Sequence, residues 1–240
     1  MLEIKNLSKS FGNLKAVDKL NLTVEQGELF GFLGPNGAGK TTTIKILTGL
    51  LAPTNGNINF NKVDIIKEPI KSKYKLGYIP DQPFLYDKLT GHEFLQFCGG
   101  LYNLSNKSLE ERIEYVEDLL KIESWIHKKT EDYSQGMKQR VAIASAFLHD
   151  PDLIVIDEPM VGLDPQTAQL VKKILSDAAE NGKTVFMSTH SLNVVEEICT
   201  RVGIINSGKL IFDLDMDSLQ NLKKEKNNNF EELFIELTNE

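Results

Sequence analysis

In the first third of the chain, segments in which apolar and polar residues alternate are separated by short apolar runs. Strict alternation has the two-residue period of a half-buried strand, and a short apolar run bounded by turn residues fits a buried strand. Residues 40–51 predict a helix that stops before Pro53, because proline cannot continue a helix. Asn55-Gly56 predicts a hairpin turn. Strands are predicted at residues 1–7, 14–24, 28–33, 57–60 and 75–79.

The middle of the chain, residues 87–149, lacks strand patterning. Apolar residues recur there at positions 109, 113, 116, 119 and 120, which is the spacing of one helix face. This pattern predicts an all-helical insertion over about residues 87–150.

Short apolar runs and helical stretches alternate again beyond the insertion. This order predicts an α/β fold whose core has a parallel sheet, with an antiparallel N-terminal β layer and the inserted helical subdomain. We expect one domain over residues 1–240, with a C-terminal tail over about 215–240 that is broken by polar residues 227–229. Strands are predicted at residues 153–156, 184–188, 202–205 and 209–212, and helices at residues 166–180 and 191–199.

The composition and net charge of the chain argue against some kinds of binding partner and location. The chain has 240 residues, 41% hydrophobic and 25% charged, which is typical of a globular protein. Its net charge of −7 argues against nucleic acid as the main partner. Its longest uncharged stretch, residues 46–61, is shorter than a membrane-spanning helix and contains Pro53, and no apolar signal segment follows Met1. We therefore expect a cytoplasmic protein unless a partner tethers it.

The most specific motif is Gly34-Pro35-Asn36-Gly37-Ala38-Gly39-Lys40-Thr41, which fits the phosphate-loop pattern G-x-x-x-x-G-K-[ST]. It follows an apolar strand and opens a helix, so glycine N–H groups and the helix N-terminus can surround a phosphate. Lys40 is expected to reach the β- and γ-phosphates, and the Thr41 hydroxyl to ligate Mg²⁺. The alternative is a glycine-rich turn with a solvated lysine.

A second motif is the apolar run 153–156, which ends in Asp157 and Glu158. Ligands of α/β proteins bind at the carboxyl ends of strands. Asp157 is suited to the Mg²⁺ shell, and Glu158 could accept a proton from an attacking water. The alternative is an acidic helix cap near Pro159.

Three further motifs run in the order seen in one family: Tyr133-Ser134-Gln135-Gly136-Met137-Lys138-Gln139-Arg140, Gly162-Leu163-Asp164-Pro165 and Ser188-Thr189-His190. Together with the phosphate loop they resemble the ATP-binding cassette (ABC) ATPases, with a P-loop NTPase core, over essentially the whole chain. Gln135 and Met137 differ from the residues that many family members carry, as in one branch of the family.

The resemblance implies a role for each motif. Two chains would pack head to tail, and the signature residues Ser134, Gln135 and Gly136 would serve the ATP of the opposite chain. His190 would contact the γ-phosphate and Asp164 would lie in the D-loop. Phe11 would stack on adenine, and residues 34–42, including Thr42, would hold the phosphates. Structural alternatives are a helix cap at Ser134 and a core aromatic at Phe11.

One segment departs from the family. In Gly77-Tyr78-Ile79-Pro80-Asp81-Gln82-Pro83 the usual place of the Q-loop glutamine holds Asp81, and Gln82 comes one residue late. Either Asp81 acts near Mg²⁺ or the loop shifts to use Gln82, with Asp81 the positional match.

Residues 86–95 and 230–238 resemble the branch that serves bacterial exporters of drugs, antimicrobial peptides and polysaccharides. This implies a separately encoded polytopic membrane subunit, a second ATPase subunit (a copy or a paralogue), and a place on the inner face of the cell membrane. The apolar residues Phe94, Leu95, Phe97 and Leu101 fit either a core face or a groove for the membrane subunit.

Two other classes of function remain as alternatives. One is a soluble ABC ATPase that acts on the ribosome or DNA, although the chain has one cassette and no coiled-coil insertion is visible. The other is an ATP-bound regulator without turnover, which fits poorly with an intact Glu158 and His190.

Overall fold

The computed structural model describes residues 1–226 and 229–238, so Asn227 and Asn228 of the predicted polar break lie outside the described residues. The strands are β1 (Leu2–Phe11), β2 (Leu14–Val24), β3 (Leu29–Leu33), β4 (Asn55–Phe60), β5 (Val63–Asp64), β6 (Leu76–Ile79), β7 (Leu153–Asp157), β8 (Thr184–Thr189), β9 (Arg201–Asn206) and β10 (Lys209–Asp215). The helices are α1 (Lys40–Leu47), α2 (Pro69–Lys73), α3 (Gly91–Leu101), α4 (Asn106–Leu120), α5 (Gln135–Phe147), α6 (Pro165–Glu180), α7 (Leu192–Ile198), α8 (Met216–Lys226) and α9 (Phe230–Thr238).

The strands form two sheets. The first is antiparallel, with the order β2-β1-β4-β5. The second has the order β10-β9-β3-β8-β7-β6, and it is parallel except for β10. The predicted α/β fold, with a parallel core sheet and an antiparallel N-terminal layer, is confirmed.

The second sheet separates two hydrophobic cores. Helix α1 fills the core between the two sheets, where Ile44 and Leu47 pack with Phe32 and with Ile58 of β4. Helices α5 to α9 cover the opposite face around Ile154 and Ile156. Because side chains alternate along a strand, β7 supplies both cores. The carboxyl ends of the parallel strands are thereby held in fixed register.

Two local predictions were wrong. Asn55-Gly56 is not a hairpin turn but the start of β4; Gly56 has φ +92°, and a Cβ there would lie 2.5 Å from the Asn6 carbonyl oxygen, so glycine is required for both reasons. The turn lies instead at Asn61-Lys62, where φ is +47° and +68°. Asn61 favours a turn but Lys62 does not, so this pair is a weaker turn signal than Asn55-Gly56.

Helix α1 also ends earlier than predicted, at Leu47 instead of residue 51. Gly49 takes φ +71°, and the N–H groups of Leu50 and Leu51 turn back to the Lys45 carbonyl at 2.8 and 2.9 Å. A glycine in the left-handed conformation just past the last turn is a common helix stop. The prediction relied on Pro53 and missed this closer signal.

Helices α3 to α5 occupy residues 91–147 between β6 and β7. Of the four apolar residues with two possible roles there, Phe94 and Leu95 are buried in the core, whereas Phe97 and Leu101 are exposed. In the described part of the chain, no helix is long and apolar enough to cross a membrane.

Candidate functional site

The phosphate loop connects β3 to α1 at the centre of the parallel sheet. At Gly34 a Cβ would lie 2.3 Å from the Ile205 carbonyl oxygen, and at Gly39 it would lie 2.4 Å from that of Ala16. Gly37 and Gly39 have φ of +81° and +112°, which side chains disfavour. These positions therefore require glycine to form the narrow backbone turn.

Lys40 lies inside this loop, and its side chain is buried. Its Nζ donates to the carbonyl oxygens of Gly34 at 2.6 Å and Pro35 at 3.2 Å. Burial lowers the pKa of the Lys40 ammonium, while the carboxylates of Glu158 and Asp157 act in the opposite direction. The ammonium is therefore held by the loop backbone and is influenced by the charges of both carboxylates. Thr41 follows and is exposed.

The carboxylates come from the end of β7. Asp157 is buried and accepts a hydrogen bond from the Ser188 hydroxyl of β8. Glu158 follows with φ +48°, and its N–H donates to the Ser188 carbonyl at 3.1 Å. His190 comes directly after β8, and its Nδ1 lies 2.9 Å from Glu158 Oε1. The parallel register brings these residues together, since Asp157 pairs with Ser188.

Glu158 and His190 form a hydrogen-bonded pair. When Glu158 is ionised its carboxylate only accepts, so the imidazole then donates through Nδ1. His190 is mostly exposed, and its Nε2 makes no hydrogen bond to another described residue. The pair can thus hold a proton acceptor and a polar ring nitrogen at one place.

Asp81 follows β6, at the same edge of the sheet as Asp157. Burial raises its pKa, and the negative charges of Asp157 and Glu158 raise it further. Asp81 is half-buried, whereas its neighbour Gln82 is exposed. Asp81, the positional match, remains the predicted residue of the Q-loop position.

Asp157 and Asp81 follow neighbouring strands of this edge, and the exposed Thr41 lies in the first turn of α1, so the edge carries oxygen donors of the kind that Mg²⁺ prefers. Among the described residues, no group of three or more His, Cys, Asp or Glu side chains is arranged to hold a metal ion. A Mg²⁺ ion here would complete its shell with phosphate oxygens and water, which is how Mg²⁺ is usually bound.

Phe11 ends β1 next to the turn into β2. It is 50% exposed, so it is not a core aromatic. The Nζ of Lys9 lies over its ring, 5.1 Å from the centroid. The ring is accessible to a flat ligand.

The predicted signature residues begin α5. Ser134 caps this helix by accepting from the Met137 N–H at 3.3 Å. A Cβ on Gly136 would lie 3.8 Å from Asp164, which caps α6, and Gln135 packs near Gly162. Signature and D-loop thus lie together, and no hydrogen bond in the described ranges joins residues 134–136 to residues 34–42.

The sequence missed two contacts that organise the site. The Ser188 hydroxyl fixes Asp157, and Arg140 Nη2 donates to Thr167 Oγ1 at 2.8 Å, which ties α5 to the cap of α6. The serine that follows the apolar residues 185–187 of β8 was the available signal for the first contact. Nothing in the sequence pairs Arg140 with Thr167.

Comparison with known proteins gives one family. Residues 17–161 match the ABC transporter family. This range contains the phosphate loop, the signature segment, Asp157 and Glu158, and it covers more than half of the chain.

Two curated relatives are named as ATP-binding proteins, one of linearmycin resistance and one of a probable multidrug ABC transporter. The chain is 38% identical over 211 residues to the linearmycin resistance ATP-binding protein LnrL of Bacillus subtilis, covering 88% of this chain and 68% of LnrL. It is 37% identical over 220 residues to the probable multidrug ABC transporter ATP-binding protein YbhF of Escherichia coli, covering 92% of this chain and 38% of YbhF. Much of YbhF therefore has no counterpart here.

Two solved structures share the fold. An ATP-binding subunit of an ABC transporter superimposes with a TM-score of 0.90 at 32% identity, covering 99% of both chains. The cassette MJ0796, in a dimeric post-hydrolysis state bound to ADP and Pi, superimposes with a TM-score of 0.81 at 26% identity, covering 90% of this chain and 99% of that one.

Proposed function

Because this chain belongs to the ABC transporter family of ATP-binding proteins, we propose that it hydrolyses ATP to power a membrane exporter. The observation that carries the proposal is the meeting of Lys40, Asp157 and the Glu158–His190 pair at one edge of the sheet. ATP and water would yield ADP and phosphate there.

Each side chain has a task in this reaction. The loop N–H groups and Lys40 bind the β- and γ-phosphates. Glu158 accepts a proton from the attacking water, and His190 orients the water and the γ-phosphate through its free ring nitrogen. A bound Mg²⁺, held by Thr41 and Asp157, would neutralise charge on the phosphate oxygens. Asp81 takes the Q-loop position, and Phe11 stacks on adenine.

The proposed head-to-tail dimer is supported by the separation of the signature residues from the phosphate loop within one chain. The N-terminus of α5 is an anion site that its own chain does not use, with Ser134 and Gly136 at its tip. In a head-to-tail dimer these residues face the γ-phosphate bound by the partner chain, close to Asp164. The dimeric state of the MJ0796 structure supports this arrangement.

Export is supported by the names of LnrL and YbhF and by an exposed apolar surface. Phe84, which is 77% exposed, contacts the Tyr86 ring, and Tyr86 contacts the exposed Phe97 of α3. The exposed Leu101 lies one turn further along this helix. A polytopic membrane subunit would cover this surface and hold the chain at the inner face of the membrane. The family comparisons do not favour a ribosome- or DNA-directed ATPase or a regulator.

Copurification tests the transport role. We expect the wild-type chain to fractionate with membranes from its own cells and to copurify with a polytopic protein. The double variant Phe97→Glu/Leu101→Glu should lose this partner and keep ATP affinity, because a carboxylate is costly to bury in an apolar contact. Tyr115→Glu, at an exposed aromatic on α4, is the matched control. Equal recovery of the polytopic protein with both variants, or ribosomes as the partner, would contradict the proposal.

Lys40→Ala tests nucleotide binding. Hydrogen bonds to charged groups contribute about 1.5–3 kcal/mol, so the affinity for ATP should fall roughly 10- to 100-fold. Isothermal titration calorimetry with Mg²⁺-ATP measures this loss. Lys45→Ala, which removes an exposed lysine from the same helix, should leave affinity unchanged. An unchanged affinity in Lys40→Ala would show that the loop is not the phosphate site.

A further inference from the structure

Lys9 and Phe11 lie two residues apart at the end of β1, where the register with β2 shifts between Lys9 and Ser10. The Lys9 Nζ lies 5.1 Å from the centroid of the Phe11 ring, within the range of a cation–π contact. The same ammonium donates to the Ala52 carbonyl at 2.7 Å. It is therefore held from two sides, by the ring and by a backbone oxygen.

The backbone around Ala52 is itself fastened to β1. The Thr54 N–H donates to the Ser8 carbonyl at 2.8 Å, and the Ser10 N–H donates to Thr54 Oγ1 at 3.0 Å. This segment follows α1, the helix that the phosphate loop opens. Lys9 thus links the Phe11 ring to the element that positions the phosphate site.

The contact also decides which face of the ring is available. The ammonium covers one face, and the ring is half exposed. A flat ligand can stack only on the opposite face.

We propose that Lys9 is a positioning residue for the nucleobase. It holds the Phe11 ring in one orientation before ATP binds. The rotation of the ring is then already restricted in the free protein, which lowers the entropy cost of binding. Because stacking needs only a π-face, this device strengthens the binding of any base and does not select adenine. The inference rests on the proposed stacking of adenine on Phe11.

The main alternative is that the Lys9 ammonium contacts a phosphate directly. The two roles differ for a ligand that has phosphates and no base. A phosphate contact would affect inorganic tripolyphosphate and ATP alike, whereas a positioning role affects only nucleotides.

Lys9→Met keeps the length of the side chain and removes its charge. A cation–π contact at an exposed site implies that the Kd for ATP rises about two- to fivefold. The Kd for tripolyphosphate and the turnover rate at saturating ATP should not change. Lys9→Arg should restore ATP affinity, because a guanidinium also stacks on an aromatic ring. Lys5→Met, on the same strand with its ammonium paired to Glu3 at 2.8 Å, is the charge-matched control.

Phe11→Ala separates this inference from the function on which it rests. Loss of base stacking should raise the Kd for ATP about 5- to 150-fold. Lys9→Met should add nothing in the Phe11→Ala background. An unchanged ATP affinity in Phe11→Ala would disprove the adenine contact itself. If Phe11→Ala weakens ATP while Lys9→Met behaves like Lys5→Met, only the role of Lys9 is wrong. An equal loss of tripolyphosphate affinity in Lys9→Met would assign Lys9 to a phosphate instead.

Discussion

Replacing Glu158 by glutamine is expected to lower the ATP turnover rate about 10²- to 10⁴-fold, the usual range for the loss of a general base. The amide has the shape of the carboxylate but cannot accept a proton from water. Among the described residues, Glu158 makes no hydrogen bond to residues 34–42, so the affinity for ATP should stay near that of the wild type. The uncleaved ATP should then hold two chains together.

Three measurements check this result. Steady-state phosphate release gives the rate, calorimetry gives the ATP affinity, and size exclusion with ATP detects the trapped dimer. Glu180→Gln, at an exposed carboxylate at the end of α6, is the isosteric control and should behave as wild type. His190→Ala should also slow turnover and spare binding, because its Nδ1 is bonded to Glu158. Wild-type turnover in Glu158→Gln would show that another group is the base.

Mixing two inactive variants is expected to restore part of the ATPase activity. Lys40→Ala chains cannot hold the phosphates, and Gly136→Asp chains place a carboxylate where the partner's γ-phosphate would lie. In a head-to-tail dimer of the two, one site carries both changes and the other carries neither. The intact site combines the loop of the Gly136→Asp chain with the signature of the Lys40→Ala chain.

In the control, both chains of the mixture carry Lys40→Ala, and one of them also carries Gly136→Asp. No dimer in this mixture has an intact phosphate loop, so no activity should return. The wild-type chain should also show a specific activity that rises with protein concentration, because hydrolysis requires two chains. The head-to-tail assignment fails if a proven monomer hydrolyses ATP at a rate independent of concentration.

The sequence predicted the core strands because their patterns are strong. The five-residue β3 and β7 are buried along their whole length, as continuous apolar runs indicate in a parallel sheet. Helix α4 was predicted from its apolar spacing, and its buried residues are Ile113, Val116 and Leu120. In each case a local sequence pattern indicates both the type of element and which of its residues are buried.

Elements fixed by contacts distant in sequence were not predicted. The close approach of Gly56 in β4 to Asn6 of β1 is one such contact, and it replaced the turn predicted at Asn55-Gly56. Short elements such as α2 have too few residues for a period. The C-terminal helices α8 and α9 are held by the burial of Leu219 and Phe230 in the core, a tertiary effect that local sequence does not show.

The candidate site shows the same division. Its residue types could be taken from motifs, because a phosphate loop requires glycines and a lysine at fixed spacing. The hydrogen bonds of Ser188 to Asp157 and of Arg140 to Thr167 depend on which strands and helices become neighbours. For the Q-loop position the sequence favoured Asp81 over Gln82 by position alone, and this choice stays a prediction; the pairing of β6 with β7, which places Asp81 at the same edge as Asp157, could not be taken from the sequence.

The left-handed backbone conformation of Glu158 makes the residue proposed for catalysis unfavourable for the thermal stability of the fold. A non-glycine residue held in that region costs on the order of 1–3 kcal/mol, and glycine would adopt it without strain. The residue that best suits the backbone at this position therefore has no carboxylate. Selection of variants for melting temperature alone would therefore favour Glu158→Gly, which would stabilise the fold and remove the proposed proton acceptor.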